Sequence, residues 1–372
     1  MHRRQTIKIL TAAAAACATP AVRAQTSPIV LGQSAALSGA AAQLGLQFQA
    51  GARLLFARIN ARGGVGGRTI ELKSLDDGYE PERCAANTKQ LIADQVLALF
   101  GYIGTPTSLA ALPLATAAKV PFIAPFTGAQ GLREPFNRYA FHVRASYFDE
   151  TARIVNQMVG VGMKNIAVFH QNDSYGQAGL TGVTRALAGH KSKPVATGTV
   201  ERNSVDVAKA VEAILAAKPE AIVQVSAYKS CAAFVREARK AGFVGQFCNV
   251  SFVGTAALAQ ELGADARGVV VSQVMPYPFA GTTPIAAEFL QAAAAAKVDV
   301  NYSSMEGYVA AKTVAEALRR NPRGGPEGLI DAMDSLRELN LGGFFVDFSP
   351  TKHTGSSYVD LTILSADGRV RR

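Results

Sequence analysis

Short β-rich runs separated by single stretches of helical spacing recur along almost the whole chain, and no other feature narrows the fold as much. IVLGQSA (29–35) reads as a strand, and residues 41–62 carry apolar side chains at helical intervals until Gly63-Gly64 stops them. TIELKSLDD (69–77) alternates as a strand, ERCAANTKQLIAD (82–94) is helical, and QVLALFGY (95–102) is a buried strand. The order continues through KVPFIAPF, a helix near 149–162, NIAVFHQ, a helix near 176–189, a strand near 195–200 and a helix near 204–217. AIVQVSA, a helix near 230–241, FCNVSF and GVVVSQV complete it. Strands joined through single helices run parallel, with helices on both faces, so the predicted class is α/β with doubly wound parallel sheets. A chain of 372 residues, 49% of them apolar, can bury more than one core, which predicts two lobes.

The first residues place Arg3, Arg4 and Lys8 ahead of an Ala-rich apolar run ending in Val22-Arg23-Ala24, the pattern of an export signal cleaved after Ala24. Adjacent Arg3-Arg4 suits a twin-arginine route as well as general secretion, and Cys17 lacks the Leu of a lipobox. Without residues 1–24 the formal charge of +10 falls to +6, since four basic residues and no acid leave. The remaining basic residues stand singly rather than clustered with aromatics, which argues against nucleic acid as a partner. A mildly positive field helps an anionic ligand. Of Cys84, Cys231 and Cys248, the last two are expected as a disulfide, one in the first turn of a helix and the other at the end of the next strand.

No residue pattern supports catalysis, a metal or a cofactor. GGVGG (63–67) follows a helix and precedes a strand, the reverse of a dinucleotide fingerprint, so it reads as a helix stop with a tight turn. A Walker lysine, a G-x-S-x-G elbow and an H-x-x-x-H pair are all missing. His2, His142, His170, His190 and His353 have no local partners and read as structural or surface groups.

The informative stretch is Gly104-Thr105-Pro106-Thr107-Ser108, three hydroxyls and no charge where a strand ends after Tyr102 and a helix begins. Thr105 is expected as the N-cap with Pro106 at the first helical position, leaving backbone N–H groups free for an anion. Thr107 adds a second hydroxyl. The next strand ends the same way in APFTGAQGL, with Phe126, Thr127 and Gly128, and open α/β sheets bind ligands at such strand ends. Tyr147, Tyr175, Tyr228, Ser251 and Phe252 also stand where strands give way to helices, predicting a cleft with aromatic walls.

SPIVLGQSAALSGAAAQLG, INARGGVGGRTIELKSLDD, NDSYGQAG and VREARKAGFVGQF together resemble the leucine/isoleucine/valine-binding type of periplasmic solute-binding protein, the receptor of an ABC importer. The resemblance implies the type I periplasmic binding protein fold: a monomer of two lobes joined by three hinge crossings near Arg144, Met275 and Gly342-Gly343. Lobe one then comprises residues 27–144 and 276–341, and lobe two 145–275 and 342–372. It implies a ligand carboxylate held at Thr105 and Thr127-Gly128, with Tyr175 and Tyr228 closing from lobe two, and membrane permease and ATPase subunits as partners. Amino-acid receptors of this family carry an acid where this chain has Ser251 and a rim tyrosine where it has Leu44. Burying an ammonium without an acid is costly, so the expected ligand is an aromatic or other organic acid, with an amino acid next. Asp77 and Glu306 remain alternative sources of negative charge, and Tyr79 is expected either over Gly104 or in solvent. Rival readings are a ligand-sensing domain for a membrane receptor, a branched-chain amino-acid receptor proper, and a structural export protein.

Overall fold

The computed structural model describes residues 27–321 and 324–372; the expected export signal and Cys17 lie outside them. The chain runs β1 (Ile29–Ala35), α1 (Ala42–Asn60), β2 (Ile70–Asp76), α2 (Pro81–Ala93), β3 (Ala98–Phe100), α3 (Thr105–Ala117), β4 (Phe122–Ile123) and β5 (Ala140–Phe141). It continues through α4 (Tyr147–Gly160), β6 (Ile166–Gln171), α5 (Ser174–Gly189), β7 (Thr197–Val200), α6 (Ala208–Ala216), β8 (Ala221–Val225), α7 (Tyr228–Lys240), β9 (Gln246–Asn249), α8 (Thr255–Leu262) and β10 (Val270–Gln273). The final part holds α9 (Pro284–Ala296), α10 (Tyr302–Arg319), α11 (Gly325–Asp334), β11 (Leu339–Asn340), β12 (Phe345–Val346), β13 (Asp360–Leu364) and β14 (Val370–Arg371).

Two large sheets result. The first, ordered β2-β1-β3-β4-β5, is parallel throughout. The second, ordered β14-β13-β10-β9-β8-β6-β7, is parallel from β10 to β7 and gains antiparallel β13 and β14 at one edge. That edge is a departure from a purely parallel sheet: β13 returns to the second sheet only after the chain has passed through α9 to β12, and β14 follows it with no helix between them.

Lobe one is completed by a helix pair made from distant segments. A Cβ on Gly51 of α1 would lie 1.8 Å from the Ser304 carbonyl oxygen, and one on Gly307 of α10 would lie 2.0 Å from that of Phe48. The two helices therefore touch backbone to backbone, which only glycine permits. Gly63 and Gly64, both at positive φ, end α1 in a tight turn as expected. Residues 345–355, expected in lobe two, instead pack on the first sheet: Phe141 stands edge-on to Phe348, and the His142 N–H donates to the His353 carbonyl at 2.8 Å. The chain enters the second sheet only at Asp360. The last crossing thus follows Gly355 rather than lying at Gly342-Gly343, whose positive φ values serve a local turn capped by the Asn340 side chain.

Candidate functional site: the cleft between the lobes

Strands β1 to β4 and β6, β8, β9 and β10 end in loops that meet. The lobes are closed on one another through Tyr79, Glu80 and Gly78 of the loop after β2. Gln171 Nε2 donates to the Tyr79 hydroxyl at 3.3 Å, Asn203 Nδ2 to Glu80 at 2.7 Å, and Arg202 pairs with Glu80 at 3.1 Å. Of the two positions expected for Tyr79, the structure shows the one over Gly104: a Cβ there would lie 2.2 Å from the tyrosine ring, and Gly104 has φ +97°. Leu44 closes the other rim against Gly254.

Inside, five fully buried rings form one wall. Phe252 lies 4.7 Å from Tyr175, 5.6 Å from Phe126 and 6.0 Å from Tyr79, and Tyr175 lies 5.5 Å from Tyr147. Rings of both lobes thus meet on Phe252. The Tyr175 hydroxyl is buried without a hydrogen-bond partner, and burial raises its pKa well above that of a free tyrosine. Tyr228 is buried but set apart, at the rim beside Gln43.

The hydroxyl turns converge at the start of α3 and α4. Thr105 Oγ1 lies 2.6 Å from Thr127 Oγ1, which lies 3.3 Å from the Tyr147 hydroxyl and accepts from the Ala129 N–H at 3.2 Å. The Tyr147 N–H donates to the Gly128 carbonyl at 2.7 Å. Three hydroxyls carry three protons and share two contacts, so at least one proton is left to donate, with no carboxylate attached to the group. Among the described residues the Thr105, Thr107 and Gly128 N–H groups have no acceptor either. This end of the cleft has donors in excess of acceptors and no formal charge.

Three expectations are corrected here. The N-cap of α3 is Gly104, with Thr105 and Pro106 inside the first turn and no side-chain cap. Thr107 turns its hydroxyl back onto the Ile103 and Gly104 carbonyls. Tyr102 points into the lobe-one core, where it packs on Phe122 and its hydroxyl lies 3.1 Å from Thr88 Oγ1. Both are taken from the cleft by local backbone geometry, which side-chain chemistry alone does not reveal.

Ser251 belongs to a buried ionic cluster that sequence reading missed. Arg144, at the first crossing, donates to Ser251 Oγ and, at 3.2 Å, to Glu150 Oε1. Glu150 Oε2 accepts from the Ser251 N–H at 2.7 Å and from Ser272 Oγ at 2.5 Å. Arg144 lies 3.5 Å from Glu306 and 5.0 Å over the Phe126 ring. Burial pushes the Glu306 carboxyl up to about 7 against the pull of Arg144. Glu150 thus sets a carboxylate against Ser251, and Arg144 lies between it and Glu306. Asp77 accepts from Ser34 and from the Tyr79 N–H, and burial raises it to about 6. The signal for Glu150 was present, an acid in the first turn of a helix beside an arginine at a hinge, but first-turn acids usually serve the helix itself.

Cys231 and Cys248 are separate buried thiols, not the expected disulfide; Cys231 Sγ instead donates to the Ser226 carbonyl at 3.3 Å. Among the described residues no group of metal ligands occurs and no helix is long and apolar enough to cross a membrane.

The periplasmic binding protein family matches residues 28–369. An amino acid binding protein of Pseudomonas aeruginosa is 27% identical over 66% of this chain, and a Leu/Ile/Val-binding protein of Escherichia coli (strain K12) is 23% identical over 65%. The chain spans 66% of the length of each of these curated relatives. Among solved structures, a possible leucine/isoleucine/valine-binding protein from Rhodopirellula baltica SH 1 superposes with a TM-score of 0.90 at 34% identity, covering 94% of this chain and 97% of the other. A substrate-binding periplasmic protein from Ralstonia solanacearum gives 0.86 at 34%, covering 92% and 99%.

Proposed function

This chain belongs to the periplasmic binding protein family, as a solute-binding protein of the leucine/isoleucine/valine-binding type rather than an enzyme; from that premise we propose that its cleft captures a small carboxylate that lacks an α-ammonium. The observation that carries the reading is the uncharged cluster of Thr105, Thr127 and Tyr147 with its surplus of donors. A carboxylate is an acceptor only, so it matches a group with protons left over. The rings of Phe126, Tyr147, Tyr175 and Phe252 suit an aromatic or branched apolar body. Of the acids beside them, Glu150 is saturated by Arg144, Ser251 and Ser272, and Glu306 shares the same Arg144 at 3.5 Å, so an ammonium there has to compete with that guanidinium.

Capture is by closure. The anion docks on the starts of α3 and of the 127–129 turn, and lobe two brings Tyr147, Tyr175 and Phe252 over it, so the ligand selects the closed arrangement. In this reading the exported protein then delivers its cargo to the permease and ATPase subunits of an ABC importer. An amino-acid ligand is the second reading, favoured by the name of the Pseudomonas relative. A thermal-shift screen separates the two by pairing each amino acid with its deaminated acid. The true ligand at 100 times its Kd adds about 2.7 kcal/mol of apparent stability. Shifts confined to the amino acids would sink the proposal.

A further inference from the structure

Arg133 stands immediately behind the turn to which the anion is assigned. It is buried, and among the described residues no carboxylate lies within ion-pairing distance of it. Its guanidinium donates to the Ala129 carbonyl at 2.9 Å and, at longer range, to the carbonyls of Thr127 (3.4 Å), Arg144 (3.3 Å) and Ala145 (3.5 Å), while Nε has no partner. It therefore ties the 127–129 turn to the first crossing between the lobes. Burial and the like charge of Arg144 lower its pKa to about 10, which still leaves it charged at neutral pH.

The Thr127 carbonyl and the Gly128 N–H are the two ends of one planar trans peptide, so they point in opposite directions. Arg133 holds the carbonyl end, and the N–H end faces away from it without an acceptor. A fixed cation at one end of this dipole raises the affinity of the other end for an anion. A buried cation with only carbonyl partners is itself costly, and an anion on the far side of the peptide offsets that cost.

We propose that Arg133 is a positioning residue whose charge, relayed through the Thr127–Gly128 peptide, is the internal counter-ion of the bound carboxylate. The inference rests on the carboxylate reading of the cleft. Its role is to make the site select charge as well as shape, although no charged side chain of the turn reaches the ligand.

The test compares phenylacetate and 4-methylpentanoate with their carboxamides, which keep shape and lose charge, on the full chain by calorimetry. The wild type is expected to prefer the acids. Arg133→Gln is expected to lower acid affinity by about tenfold or more while amide affinity holds, and Arg133→Lys to restore most of the preference. Equal losses for acid and amide in Arg133→Gln would reduce Arg133 to a packing role and overturn the proposal. If that variant does not fold, carboxyl-labelled phenylacetate bound to the wild type decides by NMR titration. A bound pKa below the free value supports the proposal, and an unchanged or raised one overturns it. A wild type that binds the acids no better than the amides, or binds neither, overturns the carboxylate reading itself, a failure visible before any substitution is made.

Discussion

The two polar clusters beside the cleft are built on opposite principles. At the Thr105–Thr127–Tyr147 end, hydroxyls and backbone N–H groups meet without a charge and have protons to give. At the Arg144–Glu150–Glu306 end, charged groups are buried together and Ser251 and Ser272 complete the hydrogen bonds of Glu150. The first can change partners at the lower cost, because stranding a neutral group is far less costly than stranding a charge, whereas the second breaks only by stranding a charge. In the proposed reading, recognition therefore falls to the neutral cluster and rigidity at the first crossing to the charged one.

Breaking the charged cluster is expected to have the largest effect. Arg144→Met strands Glu150 and Glu306, and urea denaturation should show a loss of about 3–5 kcal/mol. A loss below about 1 kcal/mol would mean the cluster is solvated rather than closed. Thr127→Val tests the neutral cluster, removing the oxygen shared by Thr105, Tyr147 and the Ala129 N–H. Calorimetry should show carboxylate binding weakened by about 1.5–3 kcal/mol, the value of a hydrogen bond to a charged group. Unchanged binding would place the carboxylate elsewhere.

The smallest effect expected per pH unit is a pH dependence carried by Glu306, which Arg144, Arg133 and Glu150 influence. Its folded pKa of about 7 exceeds the unfolded 4.5, so between these values the folded state holds the extra proton. Stability therefore falls as pH rises through that window, by up to about 1.4 kcal/mol per unit. Glu306→Gln should flatten that slope in denaturation curves taken across the window, and the same slope in variant and wild type would assign the titration to other groups.

How legible these clusters were follows from how local their chemistry is. Thr105 and Thr127-Gly128 stand at strand-to-helix turns whose residue types announce exposed donors, and the structure brings their hydroxyls together. Tyr102 stands two residues after a strand and carries an apt side chain, but Gly101, at φ +64°, turns the chain there and the ring goes to the core. Glu150 and Ser251 are 101 residues apart in sequence and meet through hydrogen bonds with no local trace. Cys231 and Cys248 fall on adjacent elements as expected, yet remain separate thiols, because neighbouring elements do not guarantee facing side chains.

Amino-acid order alone determined the α/β class, the parallel winding and the turns offering neutral donors, since hydrophobic period, glycine stops and helix-start residues act within a few positions of themselves. Only the tertiary structure decided which side chains enter the cleft, that Arg144 pairs with Glu150 and Glu306, and that residues 345–355 stay with lobe one. Those outcomes depend on contacts between segments far apart in the chain, where backbone direction and burial select the partner.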